Sequence, residues 1–110
     1  PMEVEQGCNK ILSGDYLGGK ELLEKHTEEF EKWWPLWYYL GIAESAIGNP
    51  DGAISNFRKA LQYSPSNIDV MKELCSIYEA IGDEKNLDKY TKKIQIVQNN
   101  MEAELADNQE

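Results

Sequence analysis

The chain has 110 residues, of which 41% are hydrophobic, and 11 Lys and Arg against 20 Asp and Glu give it a net charge of −9. This length fits one domain with a modest core, and the apolar content argues against wholesale disorder. The negative charge argues against nucleic-acid and anionic-membrane partners, because both need clustered cations, and no apolar stretch approaches the ~20 residues that span a bilayer.

Apolar residues recur at helical spacing along the chain, and no stretch alternates polar and apolar residues as a half-buried strand does. Gly48 suits a left-handed helix end, Asn49 can cap the next helix, and Pro65 ends that helix. We therefore predict an all-α protein. The predicted helices span residues 2–13, 16–31, 35–47, 50–63, 67–81 and 84–105.

The sequence repeats itself with a period of 34 residues. One column of the repeat holds Gly14, Gly48 and Gly82, and the next holds Asp15, Asn49 and Asp83. Each period reads as two helices joined by a short turn, and stacked helix pairs share a continuous core. We predict a single domain over residues 1–110. Its repeats would cover about 1–33, 34–67 and 68–101, followed by an acidic tail at 102–110.

The middle repeat carries the clearest pattern, with Trp37, Leu40, Gly41, Ala53, Phe57, Ala60 and Pro65. Their spacing resembles that of the tetratricopeptide repeat family. The pattern departs at Glu44, where the family has an aromatic residue, and the third repeat keeps an aromatic there as Tyr78. The first helix is degenerate, with Glu3 and Gln6 in apolar columns. The resemblance implies an α-solenoid of three helix-turn-helix repeats, stacked as a right-handed superhelix, that binds proteins.

Candidate catalytic and metal-binding residues are few and scattered. His26 is the only histidine and falls in a helix-packing column, while Cys8 and Cys75 lie far from it in sequence. A zinc site needs about four N or S ligands, usually in tight pairs, and catalysis needs a nucleophile beside a base. We expect no enzyme, no metal and no cofactor. No signal peptide is visible, so we expect a cytoplasmic protein, and the start at Pro1 leaves open a fragment of a longer chain.

The resemblance places a ligand groove along the first helix of each repeat. The middle repeat would present Tyr38, Tyr39 and Ile42, and the third Asp69, Lys72, Glu73, Ser76 and Glu79. The first repeat would present Val4, Glu5, Cys8 and Leu12. One subgroup of the family binds a peptide carboxylate with a clamp of Lys, Asn and Arg side chains. The corresponding positions here are Val4, Cys8, Tyr39, Asp69 and Glu73. None of them is Lys, Asn or Arg, so a carboxylate clamp is disfavoured. We expect a neutral or basic protein or peptide partner with an apolar anchor.

The last predicted helix carries an apolar stripe that no following helix covers. The stripe consists of Leu87, Tyr90, Ile94, Val97, Met101 and Leu105. Repeat arrays usually need a polar cap at each end, so we predict self-association through Ile94, Val97 and Met101. A structural or assembly element, which self-associates or packs on neighbouring domains, is therefore the alternative to a non-enzymatic peptide-binding module.

Overall fold

The computed structural model describes residues 1–108, which form six α-helices and no strand. The helices are α1 (Met2–Leu12), α2 (Tyr16–Glu24), α3 (Trp34–Ala46), α4 (Pro50–Tyr63), α5 (Ile68–Ile81) and α6 (Glu84–Asn108). Over this part of the chain the all-α prediction is confirmed. The last two residues of the predicted acidic tail lie outside the described residues.

The chain divides into two compact units. The first unit, Pro1–Pro65, contains α1 to α4, and the second begins at Ser66 and contains α5 and α6. All three tryptophans lie in the first unit, at positions 33, 34 and 37. The single array over residues 1–110 stays a prediction.

Each helix pair turns at a glycine in the left-handed conformation. These glycines are Gly14, Gly48 and Gly82, with φ of 96°, 85° and 77°. The following residue caps the next helix with a side-chain oxygen 3.0 to 3.2 Å from a backbone nitrogen three residues on, at Asp15, Asn49 and Asp83. Glycine adopts positive φ without strain. The repeat in the sequence therefore reflects a turn of the same geometry that recurs in each helix pair.

Small residues allow close helix packing in the first unit. A Cβ atom on Gly41 would lie 2.6 Å from the Phe57 ring, so α3 and α4 approach at this point. Gly41 permits this close approach because it has no side chain, and Phe57 fills the space beside it. Ala53 and Ala60 on α4 are fully buried. In the other hairpin, a Cβ atom on Gly19 of α2 would lie 2.7 Å from the Gly7 carbonyl oxygen of α1.

The prediction of a helix over 16–31 is wrong at its end, because α2 stops at Glu24. Residues 25–32 form successive turns instead. The His26 N–H bonds to the Leu23 carbonyl, three residues back, which tightens the last turn. Trp37 Nε1 donates to the Glu31 carbonyl oxygen at 2.7 Å, so a tertiary contact holds this segment beside α3.

The second unit is a hairpin whose core contains two stacked tyrosines. The Tyr78 and Tyr90 rings lie 5.8 Å apart and 14° from parallel, and Val70 and Leu74 are fully buried. α6 has 25 residues and α5 has 14, so the distal part of α6 extends beyond its partner helix. Among residues 1–108, no helix combines the length and the apolar character that crossing a bilayer demands.

Candidate binding groove

An apolar groove of about 620 Å³ lies on the first unit. Its side chains come from α1, from the turns before α3, and from the start of α3 itself. The apolar lining consists of Pro1, Val4, Cys8, Leu12, Phe30, Trp33, Pro35 and Tyr39, with Glu5 and Asn9 as its polar side chains. This volume falls within the range of roughly 300 to 1,000 Å³ that ligand sites occupy.

One wall of the groove is a single face of α1. Val4, Cys8 and Leu12 are spaced four residues apart, which places them one above another on the helix. Val4 and Cys8 are 5% and 8% exposed, whereas Leu12 is 69% exposed. Burial raises the pKa of the Cys8 thiol, so this cysteine stays protonated at neutral pH and acts as a small apolar group.

The facing wall begins in the non-helical segment 25–32 and continues into α3. Phe30 belongs to that segment, Trp33 precedes α3, and Tyr39 lies one helical turn after Pro35. Trp33 keeps 43% of its surface exposed, which is high for a large aromatic side chain. Sequence reasoning missed this wall. The signal that could have found it is the run of aromatic residues between positions 30 and 39.

Tyr38 is not among the lining residues, but its ring contacts the ring of Tyr39. The two rings meet edge to face at 5.5 Å, and the Tyr38 ring also lies 5.9 Å from Phe57 and 5.8 Å from Trp34. Tyr38 is half-buried, as is Ile42 further along α3. Of the three residues predicted for the middle repeat, Tyr39 is therefore the one that lines the groove.

His26 links the two walls of the groove through hydrogen bonds. Its Nε2 lies 2.9 Å from Oε2 of Glu3 on α1, and its Nδ1 lies 3.3 Å from Oε1 of Glu29. The hydrogen bonds to Glu3 and then Glu29 raise the pKa of the His26 imidazole. The His26 ring also meets the ring of Phe30, a wall residue, edge to face at 6.4 Å.

A buried carboxylate joins three helices outside the groove. Glu44 on α3 is 6% exposed and lies 2.7 Å from Lys20 Nζ on α2. It also accepts a hydrogen bond at 2.6 Å from Nδ2 of Asn49, the residue that caps α4. The hydrogen bond that Lys20 donates to Glu44 raises the pKa of Lys20. The sequence signal for this contact was Glu44 itself, a carboxylate at a repeat position where the family has an aromatic residue.

The other predicted site residues lie on the second unit. Four of the five on α5 are exposed: Asp69, Lys72, Ser76 and Glu79. Glu73 is half-buried, and burial, followed by the charge of Asp69, raises the pKa of its carboxyl group. That all eight predicted residues line one groove stays a prediction.

The residues predicted for self-association lie along α6. Ile94 and Val97 are half-buried, and Met101 is 52% exposed. Self-association through them stays a prediction. Across residues 1–108, no three His, Cys, Asp or Glu side chains come together in a cluster suited to a metal ion.

No protein-family model matches the chain, and no curated protein matches it in sequence. Solved structures of MamA, a TPR-like helical-repeat protein, do match it. A crystal structure of MamA matches 92% of the chain with a TM-score of 0.85 and 19% identity. AMB-1 MamA matches 94% with a TM-score of 0.83 and 25% identity, and an RS-1 MamA double mutant matches 90% with a TM-score of 0.86 and 17% identity. The chain spans 56 to 59% of the length of these three solved chains. It is therefore similar to MamA in fold, as an all-helical TPR-like repeat.

Proposed function

We propose that the chain is a non-enzymatic protein-interaction module that binds a peptide or a partner helix in the groove of the first unit. The groove itself carries this proposal, because it gathers eight apolar or aromatic side chains in one open depression. Leu12 and Trp33 are 69% and 43% exposed at its edges. Exposed apolar groups gathered on one surface are typical of interaction sites.

The charge of the groove favours a basic partner. Glu5 is the one charged side chain among the lining residues, and the chain as a whole carries a net charge of −9. A peptide with Lys or Arg beside an apolar anchor would bury the anchor between the walls and place its cation near Glu5. Because Glu5 is exposed, this attraction weakens as salt rises.

The test is a titration with a pair of designed amphipathic peptides of roughly 15 residues, a length at which a helix begins to hold in water. Both peptides carry a Leu anchor, one with flanking Lys and the other with flanking Glu. We expect the Lys peptide to bind more tightly at low salt, measured by calorimetry. Equal binding of the two peptides, or no binding of either, would contradict the proposal.

Two leucine substitutions locate the binding site. Leu12→Arg removes an apolar edge and adds a repelling cation, so we expect it to weaken binding of the Lys peptide by about tenfold or more. Leu17→Arg is the matched control, since Leu17 is 66% exposed on α2 and lies outside the groove. If both variants weaken binding equally, the peptide binds elsewhere.

A further inference from the structure

The outer face of α6 carries a pattern that the groove of the first unit does not explain. Six exposed residues follow one another at intervals of three or four: Lys89, Lys93, Ile96, Asn100, Glu104 and Asp107. The helical period places all six on one face of α6, here called the α6 stripe. Ile96 keeps 59% of its surface exposed near the middle of that face.

Charge is segregated along this helix. All four lysines of α6 lie between residues 85 and 93, while residues 94–107 contain three carboxylates and no cation. The α6 stripe therefore has two cations at one end and two anions at the other, with an apolar and an amide side chain between them. Such a pattern is complementary to a reversed copy of itself.

We propose that α6 pairs antiparallel with α6 of a second copy, around a two-fold axis near residue 98. This register places Lys93 beside Glu104 of the second copy and Lys89 beside Asp107 of the second copy. The two-fold axis repeats both contacts at the other end of the interface. A parallel pairing would instead set like charges against each other, and the net charge of −9 opposes non-specific association.

A shallow depression beside the α6 stripe supplies an apolar contact at the centre of the same register. It measures about 300 Å³ and is lined by Val97, Asn100, Met101 and Glu104, together with Ser66. Ile96 of the second copy lies opposite Asn100 and Met101 in this register. The exposed isoleucine of each copy therefore enters the depression of the other.

The pairing is weak and depends on salt, because exposed ion pairs are individually weak and are screened by ions. Sedimentation equilibrium of the full chain, from ~5 to ~500 µM at ~20 mM NaCl, tests for it. We expect a monomer–dimer equilibrium whose dissociation constant rises by about tenfold or more at ~300 mM NaCl. A monomer at every concentration in low salt would overturn the proposal.

Charge-swapped variants test the register. Lys93→Glu and Glu104→Lys shift the net charge in opposite directions, yet each sets like charges together, so we expect each to weaken the dimer about tenfold. The double variant Lys93→Glu/Glu104→Lys, and an equimolar mixture of the two single variants, restore opposite pairs and should dimerise as the parent does. Failure of both to recover would overturn the register.

The control is Arg58→Glu, which makes the same charge change at an exposed position on α4, outside the α6 stripe. We expect this variant to dimerise with the dissociation constant of the parent. If it weakened the dimer as much as Lys93→Glu does, net charge alone would explain the effect, and the proposal would be overturned. Far-ultraviolet circular dichroism confirms that each variant folds. The peptide titration on the first unit is independent, so either proposal can fail without the other.

Discussion

Two polar side chains of the first unit occupy positions where the repeat pattern predicts apolar or aromatic packing. His26 shares a column with Ala60 and Ile94, yet its imidazole lies between two carboxylates, at 2.9 and 3.3 Å. Glu44 stands in an aromatic column, yet it is buried with two donors. A buried carboxylate is tolerated when donors satisfy it, so both residues act as specific links between elements.

The link from His26 to Glu3 predicts a dependence of stability on pH. The raised pKa of His26 means that its contribution is fully present below its ordinary pKa of 6.5 and is lost as pH rises through the folded-state value. The pKa of Glu3 is lowered, first by the hydrogen bond from His26, so its contribution is present above its ordinary pKa and is lost as pH falls through the lowered value.

We therefore expect His26→Gln to destabilise the chain most between about pH 5 and 6 and progressively less at alkaline pH. Urea denaturation of both proteins at a series of pH values measures the difference. Glu28→Gln, a neighbouring exposed carboxylate, serves as the control. A difference that stays constant with pH would show that the imidazole contributes only through packing.

At the scale of elements, the sequence predicted those helix ends that are determined by the residues of the turn itself. The three turn glycines and the caps that follow them determine where helices end and begin, and the structure confirms them. The end of α2 could not be predicted, because residues 25–31 contain neither Gly nor Pro and continue a helical spacing. The contact from Trp37 to the Glu31 carbonyl, which is tertiary, accompanies the break.

The close packing of the α3–α4 hairpin predicts the effect of enlarging a small core residue. Ala53 is fully buried on α4, so Ala53→Leu should overpack the hairpin and cost about 1–3 kcal/mol of unfolding free energy. Chemical denaturation measures this loss. Ala46→Leu, at an exposed position near the end of α3, should leave stability within about 0.5 kcal/mol. Equal effects of the two changes would argue against a tight hairpin at Ala53.

At the scale of the molecule, the sequence predicted one wall of the candidate groove and missed most of the other. The face of α1 and Tyr39 follow from helical spacing and from the family resemblance. Phe30, Trp33 and Pro35 do not, because their positions depend on non-helical turns held by contacts to distant residues. The fold was more predictable than the site. The repeated turn depends on residues that are adjacent in sequence, whereas this groove wall depends on contacts between residues that are distant in sequence.

The net charge of −9 predicts that moderate salt stabilises the folded chain. Charge repulsion extends over roughly 30 Å at 10 mM salt and about 8 Å at 150 mM, so added salt screens carboxylates from one another. We expect the thermal midpoint of a dilute sample to rise by about 2–6 °C between these concentrations. KCl should act as NaCl does. A falling midpoint would mean that local ion pairs, such as Lys20 with Glu44, outweigh the general repulsion.

The placement of all three tryptophans in the first unit makes the two units optically distinguishable. The second unit absorbs through tyrosines such as Tyr78 and Tyr90, so selective excitation of indole rings yields emission from the first unit alone. Trp33 is also a partly exposed wall of the groove. A ligand that displaces water from this ring should shift the emission spectrum, which turns the unmodified chain into its own fluorescent sensor of occupancy.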